Sequence, residues 1–389
     1  MTLQADSTTR LAPDPTTPVL DVRGLRASFF TRRGEVHAVR DVSFSLHQGE
    51  TLALVGESGS GKTATAMSIL RMLPASGEIR DGEIVFNGVN LLTRSERQME
   101  KIRGRQIGLI PQDPSASLNP LMTVGDHMTE LLGVHLGLHG RAARDRSIEL
   151  LQAVGIPEPE NRFKAYPHQL SGGMRQRVMI ALAIACRPAL LIADEPTTAL
   201  DSTVQAQILE LIATLAREMN TATILITHNL GIVAGLAERV AVMYAGRMVE
   251  FAPRHELFDD PHHPYTVGLL DCVPRVDRIT PGTFQTIAGQ PPDLLQVDPG
   301  CSFAPRCGFV SDQCLTDLPM LVPDGAAHRA ACWNQEQVVA RDTAIGVAAA
   351  NGNADRVPLA AAAAPGAGGA AGAAAGAGTA AAAGVASGA

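Results

Sequence analysis

The sequence predicts an α/β fold: a mostly parallel sheet with helices on both faces, built around a phosphate-binding loop. Three observations predict it. Gly56-Glu57-Ser58-Gly59-Ser60-Gly61-Lys62-Thr63 fits G-x-x-x-x-G-K-[ST], and it sits between an apolar run, Thr51–Val55, and a helical pattern from about Ala64. Two more apolar runs, Ala189–Ala193 and Thr223–Thr227, end in Asp194-Glu195 and His228. Helical patterns separate these runs, as βαβ units require.

The loop residues suit their chemistry. Gly56, Gly59 and Gly61 let backbone N–H groups curl around phosphate oxygens, together with those of Ser58, Ser60 and Ala64. The helix start adds a favourable dipole. Lys62 can reach the β- and γ-phosphates, and Thr63 can offer its hydroxyl to Mg²⁺. Asp194, at the carboxyl end of a parallel strand, is placed to hold the same ion. Glu195, one residue on, is suited to polarise an attacking water.

The remaining elements follow in order. Residues 1–16 are polar and contain proline, the texture of a loose arm. Val19–Ser28 and Val36–Leu46 read as strands, with Phe29 and Phe30 at the end of the first. An aromatic there can stack on a base or fill the core. Gly82–Phe86 reads as a strand closed by the turn Asn87-Gly88, and about Ser95–Arg103 as a charged helix. Ile107–Ile110 is a buried strand ending at Pro111-Gln112-Asp113. Helical periodicity over Val124–Leu132 and Ala142–Val154 marks a helical insertion at about 115–170. Leu170-Ser171-Gly172-Gly173-Met174-Arg175-Gln176 opens a helix to Cys186, a second helix start able to take an anion. Arg239–Tyr244 and Gly246–Phe251 resemble a hairpin. Alone, Gln112, which could bind metal-associated water, and His228 read as ordinary loop residues; for His228 its place at a strand end, beside the other motifs, reverses that. After Pro253 the sequence turns Pro-rich and irregular, which puts a boundary near Thr266. The Ala/Gly-rich stretch 341–389 reads as a disordered tail.

Bulk properties narrow the function. A chain of 389 residues can hold two domains with sizeable cores. A formal charge of −7 argues against a general nucleic-acid binder. The start, Met1-Thr2-Leu3-Gln4-Ala5, lacks the basic and apolar regions of a signal peptide, and no run spans a membrane. A cytoplasmic location is expected. Cys186 and Cys272 read as isolated buried thiols, whereas Cys301, Cys307, Cys314 and Cys332 cluster. In a cytosolic setting such a cluster suggests metal more than disulfides.

The motif set resembles the ATPase subunits of ABC transporters over about residues 17–255. Gly56–Thr63 matches Walker A, Leu190–Asp194 Walker B, and Leu170–Gln176 the LSGGxxQ signature. Gln112 matches the Q-loop, Ala199-Leu200-Asp201 the D-loop and His228 the switch histidine. Phe29 aligns best with the base-stacking aromatic, and Phe30 is a close alternative. Pro261–Thr266, Gly289–Pro292 and Cys301–Cys307 are similar to segments of the dipeptide/oligopeptide importer subfamily. The resemblance implies an ABC-type cassette at 17–265 and a small irregular C-terminal domain at 266–340.

It further implies ATP hydrolysis with Mg²⁺, powering peptide uptake. Thr63, Gln112 and Asp194 would hold the ion. Ser171, Gly172, Gly173, Gln176 and Asp201 would face a nucleotide held by a second ATPase subunit, a heterodimer ahead of a homodimer. Two permease subunits, an extracytoplasmic peptide-binding protein and the cytoplasmic face of the inner membrane complete the expected setting. The same subfamily also serves nickel and other small solutes. Soluble ABC ATPases usually carry two motif sets or coiled-coil inserts, and neither is seen here. Glu195 and His228 speak against a regulator without turnover. The four clustered cysteines are spaced x5, x6 and x17, without a short C-x₂₋₄-C zinc knuckle. Four thiolates suffice for a [4Fe–4S] cluster, which the similar C-terminal regions are associated with. Unligated thiols and zinc are the alternatives.

Overall fold

In the computed structural model the described residues are 17–198, 200–273, 287–296, 299–321 and 326–340. The expected arm at 1–16, the tail at 341–389 and Ala199 lie outside them. Eleven strands are assigned: β1 (Leu20–Thr31), β2 (Gly34–Leu46), β3 (Thr51–Val55), β4 (Gly77–Phe86), β5 (Val89–Asn90), β6 (Ile107–Ile110), β7 (Leu190–Asp194), β8 (Ala222–Thr227), β9 (Arg239–Tyr244), β10 (Arg247–Pro253) and β11 (Arg329–Ala330).

They form two sheets. The main one has the order β11-β10-β9-β3-β8-β7-β6. Within it β9, β3, β8, β7 and β6 run parallel, so the expected parallel sheet is present. The first strands depart from that expectation and form a separate antiparallel layer, β2-β1-β4-β5. The reason is connection length. Only Arg32 and Arg33 join β1 to β2, too short for the crossover that parallel neighbours need.

Alternation along the central strands explains the burial on both faces. Leu52 and Leu54 of β3 face one core with Leu190 and Ile192 of β7. Ala53 and Val55 face the C-terminal side, while Leu191 and Ala193 face the helical side. The helical insertion lies between β6 and β7, with helices Val124–Leu136 and Gly140–Ala153 packed near helix Gly172–Ile184. Its first helix starts at a capping box between Thr123 and Asp126 and stops at Gly137 in the left-handed region. The expected charged helix at 95–103 is shorter, Glu96–Glu100.

The C-terminal region is docked on the cassette. Helix Pro264–Asp271 runs across the boundary expected near Thr266, and Thr266 itself is buried. Phe303 packs with Tyr244 and Tyr265, ring centroids 5.2 and 5.4 Å away. β11 adds to the sheet edge through Glu250↔Ala330. Its anchor is Glu250, a fully buried carboxylate. Glu250 accepts from the His262 and His263 backbone N–H groups at 2.7 and 3.0 Å and faces His328 Nε2 at 2.7 Å. His263, completely buried, accepts from the Tyr265 N–H through Nδ1, and burial pushes its pKa down to about 4. Cys186 is half-buried, its thiol pushed up to about 11 by burial. Cys272 is exposed, which corrects its reading as a buried thiol: it falls at the C-cap of helix Pro264–Asp271.

Candidate active site

The phosphate loop leaves the carboxyl end of β3, between β8 and β9. Glycine is required at two of its positions. Gly56 (φ 151°) and Gly61 (φ 101°) lie in backbone regions that side chains disfavour, and a Cβ would strike the Met243 carbonyl or the Ala38 carbonyl respectively. Helix Lys62–Ile69 begins within the loop motif, two residues before the start expected at Ala64. Lys62 is buried inside the loop, its Nζ donating to the Gly56 carbonyl at 2.8 Å and the Glu57 carbonyl at 3.0 Å. Burial lowers its pKa, against the pull of Glu195, Asp194 and Glu57. The Ser60 hydroxyl is buried and has no hydrogen-bond partner among the described residues. An anion in the loop would satisfy it. Ser58, Gly59 and Thr63 are exposed, and Ala64 is buried on the helix.

Parallel strand order brings the acidic residues to this loop. Asp194 ends β7, and its Oδ1 accepts from the Thr63 hydroxyl at 3.0 Å. Burial raises the Asp194 pKa, while the bond from Thr63 lowers it. A cation at this pair would favour the ionised form. Glu195 follows in the left-handed region, φ 43°, with its N–H on the Ile226 carbonyl at 3.0 Å. Non-glycine residues held there concentrate at functional sites. Its Oε2 is the meeting point of the site. Gln112 Nε2 donates to it at 3.1 Å, Thr198 Oγ1 donates at 3.2 Å, and His228 Nδ1 lies 3.5 Å away. Residues far apart in sequence thus converge because β6, β7 and β8 are neighbours whose carboxyl ends share one edge.

Other predicted residues are not brought there. Ser171 caps helix Gly172–Ile184, its Oγ accepting from the Met174 N–H at 3.3 Å. Asp201 caps helix Ser202–Met219 by accepting from the Val204 N–H at 3.0 Å. No hydrogen bond among the described residues joins Leu170–Gln176 to the phosphate loop. Gln176 is buried with an unpartnered Nε2. Phe29 is half-buried against Gly77, whereas Phe30 is 45% exposed with Arg80 above its ring at 5.6 Å.

Sequence reasoning missed three side chains of the site, Thr198 on Glu195 and two at the loop. Thr198 carries no motif of its own. Tyr265 and Arg306, which reach Glu57, lie in the noted runs Pro261–Thr266 and Cys301–Cys307. Those runs were visible; what they touch was not.

The four clustered cysteines line one small cavity, with His263, Phe303 and Trp333. Backbone and side-chain groups point at the sulfurs. The Phe309 N–H donates to Cys307 Sγ at 3.3 Å and the Asn334 N–H to Cys332 Sγ at 3.4 Å. Asn334 Nδ2 donates to Cys314 Sγ at 3.6 Å. Burial pushes the Cys307 thiol up to about 12 and that of Cys332 to about 11. Among the described residues no group of three or more His, Cys, Asp or Glu is placed to hold a single metal ion. No helix among them is long and apolar enough to cross a membrane.

The ABC transporter family model matches residues 39–198, and the model of the oligopeptide/dipeptide transporter C-terminal region matches 249–314. The oligopeptide transport ATP-binding protein OppD of Salmonella typhimurium is 49% identical over 318 residues, 82% of this chain and 94% of that one. The dipeptide transport ATP-binding protein DppD of Bacillus subtilis is 50% identical over 320 residues, 82% and 95% respectively. A solved dimer of the ATP-binding cassette MJ0796, bound to ADP and Pi, superposes with a TM-score of 0.55 at 26% identity, covering 60% of this chain and 98% of that one.

Proposed function

This chain belongs to the ATP-binding subunits of oligopeptide/dipeptide ABC transporters, and from that premise we propose that it hydrolyses ATP to drive peptide uptake through a membrane permease. The observation that carries this reading is the convergence of Gln112, Thr198 and His228 on Glu195, beside a phosphate loop tied to Asp194 through Thr63.

Each residue has a task that its place supports. Loop N–H groups and the Ser60 hydroxyl bind phosphate oxygens, and Lys62 neutralises charge on them. Thr63 and Asp194, with Gln112 near, would hold Mg²⁺, which supplies further charge neutralisation to the phosphates when bound. Glu195 orients the attacking water and accepts its proton. Gln112 and His228 hold the Glu195 carboxylate and sense the terminal phosphate. Phe29, by its place in the family motif, stacks on the base. Ser171, Gly172, Gly173, Gln176 and Asp201 serve the nucleotide of a partner ATPase, which the dimeric MJ0796 cassette supports as a mode of assembly. One motif set per chain fits a pair of subunits, and we favour a heterodimer with a similar ATPase. Docking on permease subunits would place the chain at the cytoplasmic membrane face, with an extracytoplasmic peptide-binding protein delivering cargo.

The test is transport by the assembled system. Proteoliposomes holding this chain with its co-purifying permease subunits and binding protein should accumulate labelled di- or oligopeptides only when MgATP is present on this chain's side. Accumulation of nickel in place of peptide, or none with either, overturns the reading.

The cysteine cavity is assigned to a [4Fe–4S] cluster, held by Cys301, Cys307, Cys314 and Cys332, with a structural or redox-sensing role. Two observations support it: all four cysteines line one cavity, and hydrogen-bond donors face three of the sulfurs. Anaerobic purification should yield about four iron and four sulfide per chain, the number the cluster type defines. Cys301→Ser or Cys307→Ser should lose both while saturating ATP still binds. Stoichiometric zinc, or no metal, refutes the assignment.

A further inference from the structure

Glu57 belongs to the phosphate loop but not to its fixed motif positions. Its side chain is held by the C-terminal region. Arg306 Nη1 donates to Glu57 Oε2 at 2.7 Å and Nη2 to Oε1 at 3.0 Å, a bidentate fork. Its other three N–H groups reach Tyr244 Oη at 3.2 Å, the Ala288 carbonyl at 2.9 Å and the Ile287 carbonyl at 3.2 Å. All five donors of the guanidinium are used, which fixes its plane. The side chain is 3% exposed and lies near the rings of Tyr244 and Phe303.

The rest of Glu57 is bound just as closely. Its N–H donates to Tyr265 Oη at 2.7 Å. Its carbonyl accepts from Lys62 Nζ at 3.0 Å and from the Ser60 N–H at 3.2 Å. One residue therefore joins the cysteine-rich region to the ammonium that meets phosphate. A shift of Glu57 would move Lys62 and Ser60 with it.

We propose that Arg306, acting through Glu57, is a positioning residue that holds the phosphate loop in its nucleotide-binding shape. The inference rests on the ATPase reading above and extends it: a turn bounded by Cys301 and Cys307 sets the affinity of the ATP site. A pin that only anchors the C-terminal region would lower thermal stability and leave nucleotide affinity alone.

A double-mutant cycle on the full chain separates the two, with binding of a fluorescent ATP analogue as the readout. Glu57→Gln and Arg306→Gln should each raise the Kd about tenfold, the scale of coupling between groups in contact. The double variant should be no weaker than either single one. Arg306→Lys, which keeps the charge but not the fork, should fall between Arg306→Gln and wild type. If Arg306→Gln does not fold, Glu57→Gln and Arg306→Lys carry the same comparison. Single variants at wild-type Kd, or a double variant whose loss is the product of the two, overturn the inference. Wild-type chain that fails to bind the analogue refutes the ATPase reading instead, so the two failures are distinct.

Discussion

Glu195→Gln is expected to bind ATP like the wild type and to lose nearly all hydrolysis. The substitution keeps shape and one acceptor oxygen, so Gln112 and Thr198 retain a partner. It removes the negative charge proposed to orient water and take its proton. Loss of a positioned general base costs on the order of 10²–10⁴ in rate. Steady-state phosphate release by the assembled transporter is the measurement, with ATP affinity as the control. Turnover at the wild-type rate would remove Glu195 from the chemistry. A large loss of affinity would place its role in binding.

Glu250→Ala is expected to be the most damaging change away from the active site. Alanine leaves the His262 and His263 N–H groups and His328 without their acceptor, in a place that water does not reach. A buried donor left without its acceptor costs about 1–3 kcal/mol, so the three together put the loss at about 3 kcal/mol or more. For a chain of 389 residues that corresponds to a fall in Tm of roughly 4 °C or more. Glu250→Gln should lose less, because its one carbonyl oxygen can still accept. Thermal unfolding of the three proteins decides it, and an alanine variant within 2 °C of wild type would be incompatible with this role. Since His328 precedes β11, the first region to loosen should be the C-terminal one, seen as faster amide exchange at residues 326–340.

Much of the chemistry was legible in the sequence because it is local. Gly56–Thr63 specifies its own shape through glycines that only a tight turn requires. Asp194-Glu195 and His228 could be placed at strand ends because apolar runs of strand length stop there. The partner of Glu195 was not legible. Gln112 and Thr198 meet it only because β6 and β7 are neighbours in the sheet and a turn folds back over Glu195.

The C-terminal region shows the limit from the other side. Its prolines and clustered cysteines marked it as distinct, and the clustering of the cysteines suggested a common ligand. Sequence pattern gave no hint that Glu57 faces Arg306, 249 positions away, or that Glu250 gathers His262, His263 and His328. Hydrophobic periodicity reports only whether a residue faces inward, so with the Gly56–Thr63 motif it determined the fold class, the nucleotide loop and the strand ends where Asp194 and Glu195 sit. Which buried charges pair depends on distances between elements remote in the chain. Only tertiary structure decided that the C-terminal region completes the edge of the ATPase sheet and holds its phosphate loop by a side chain.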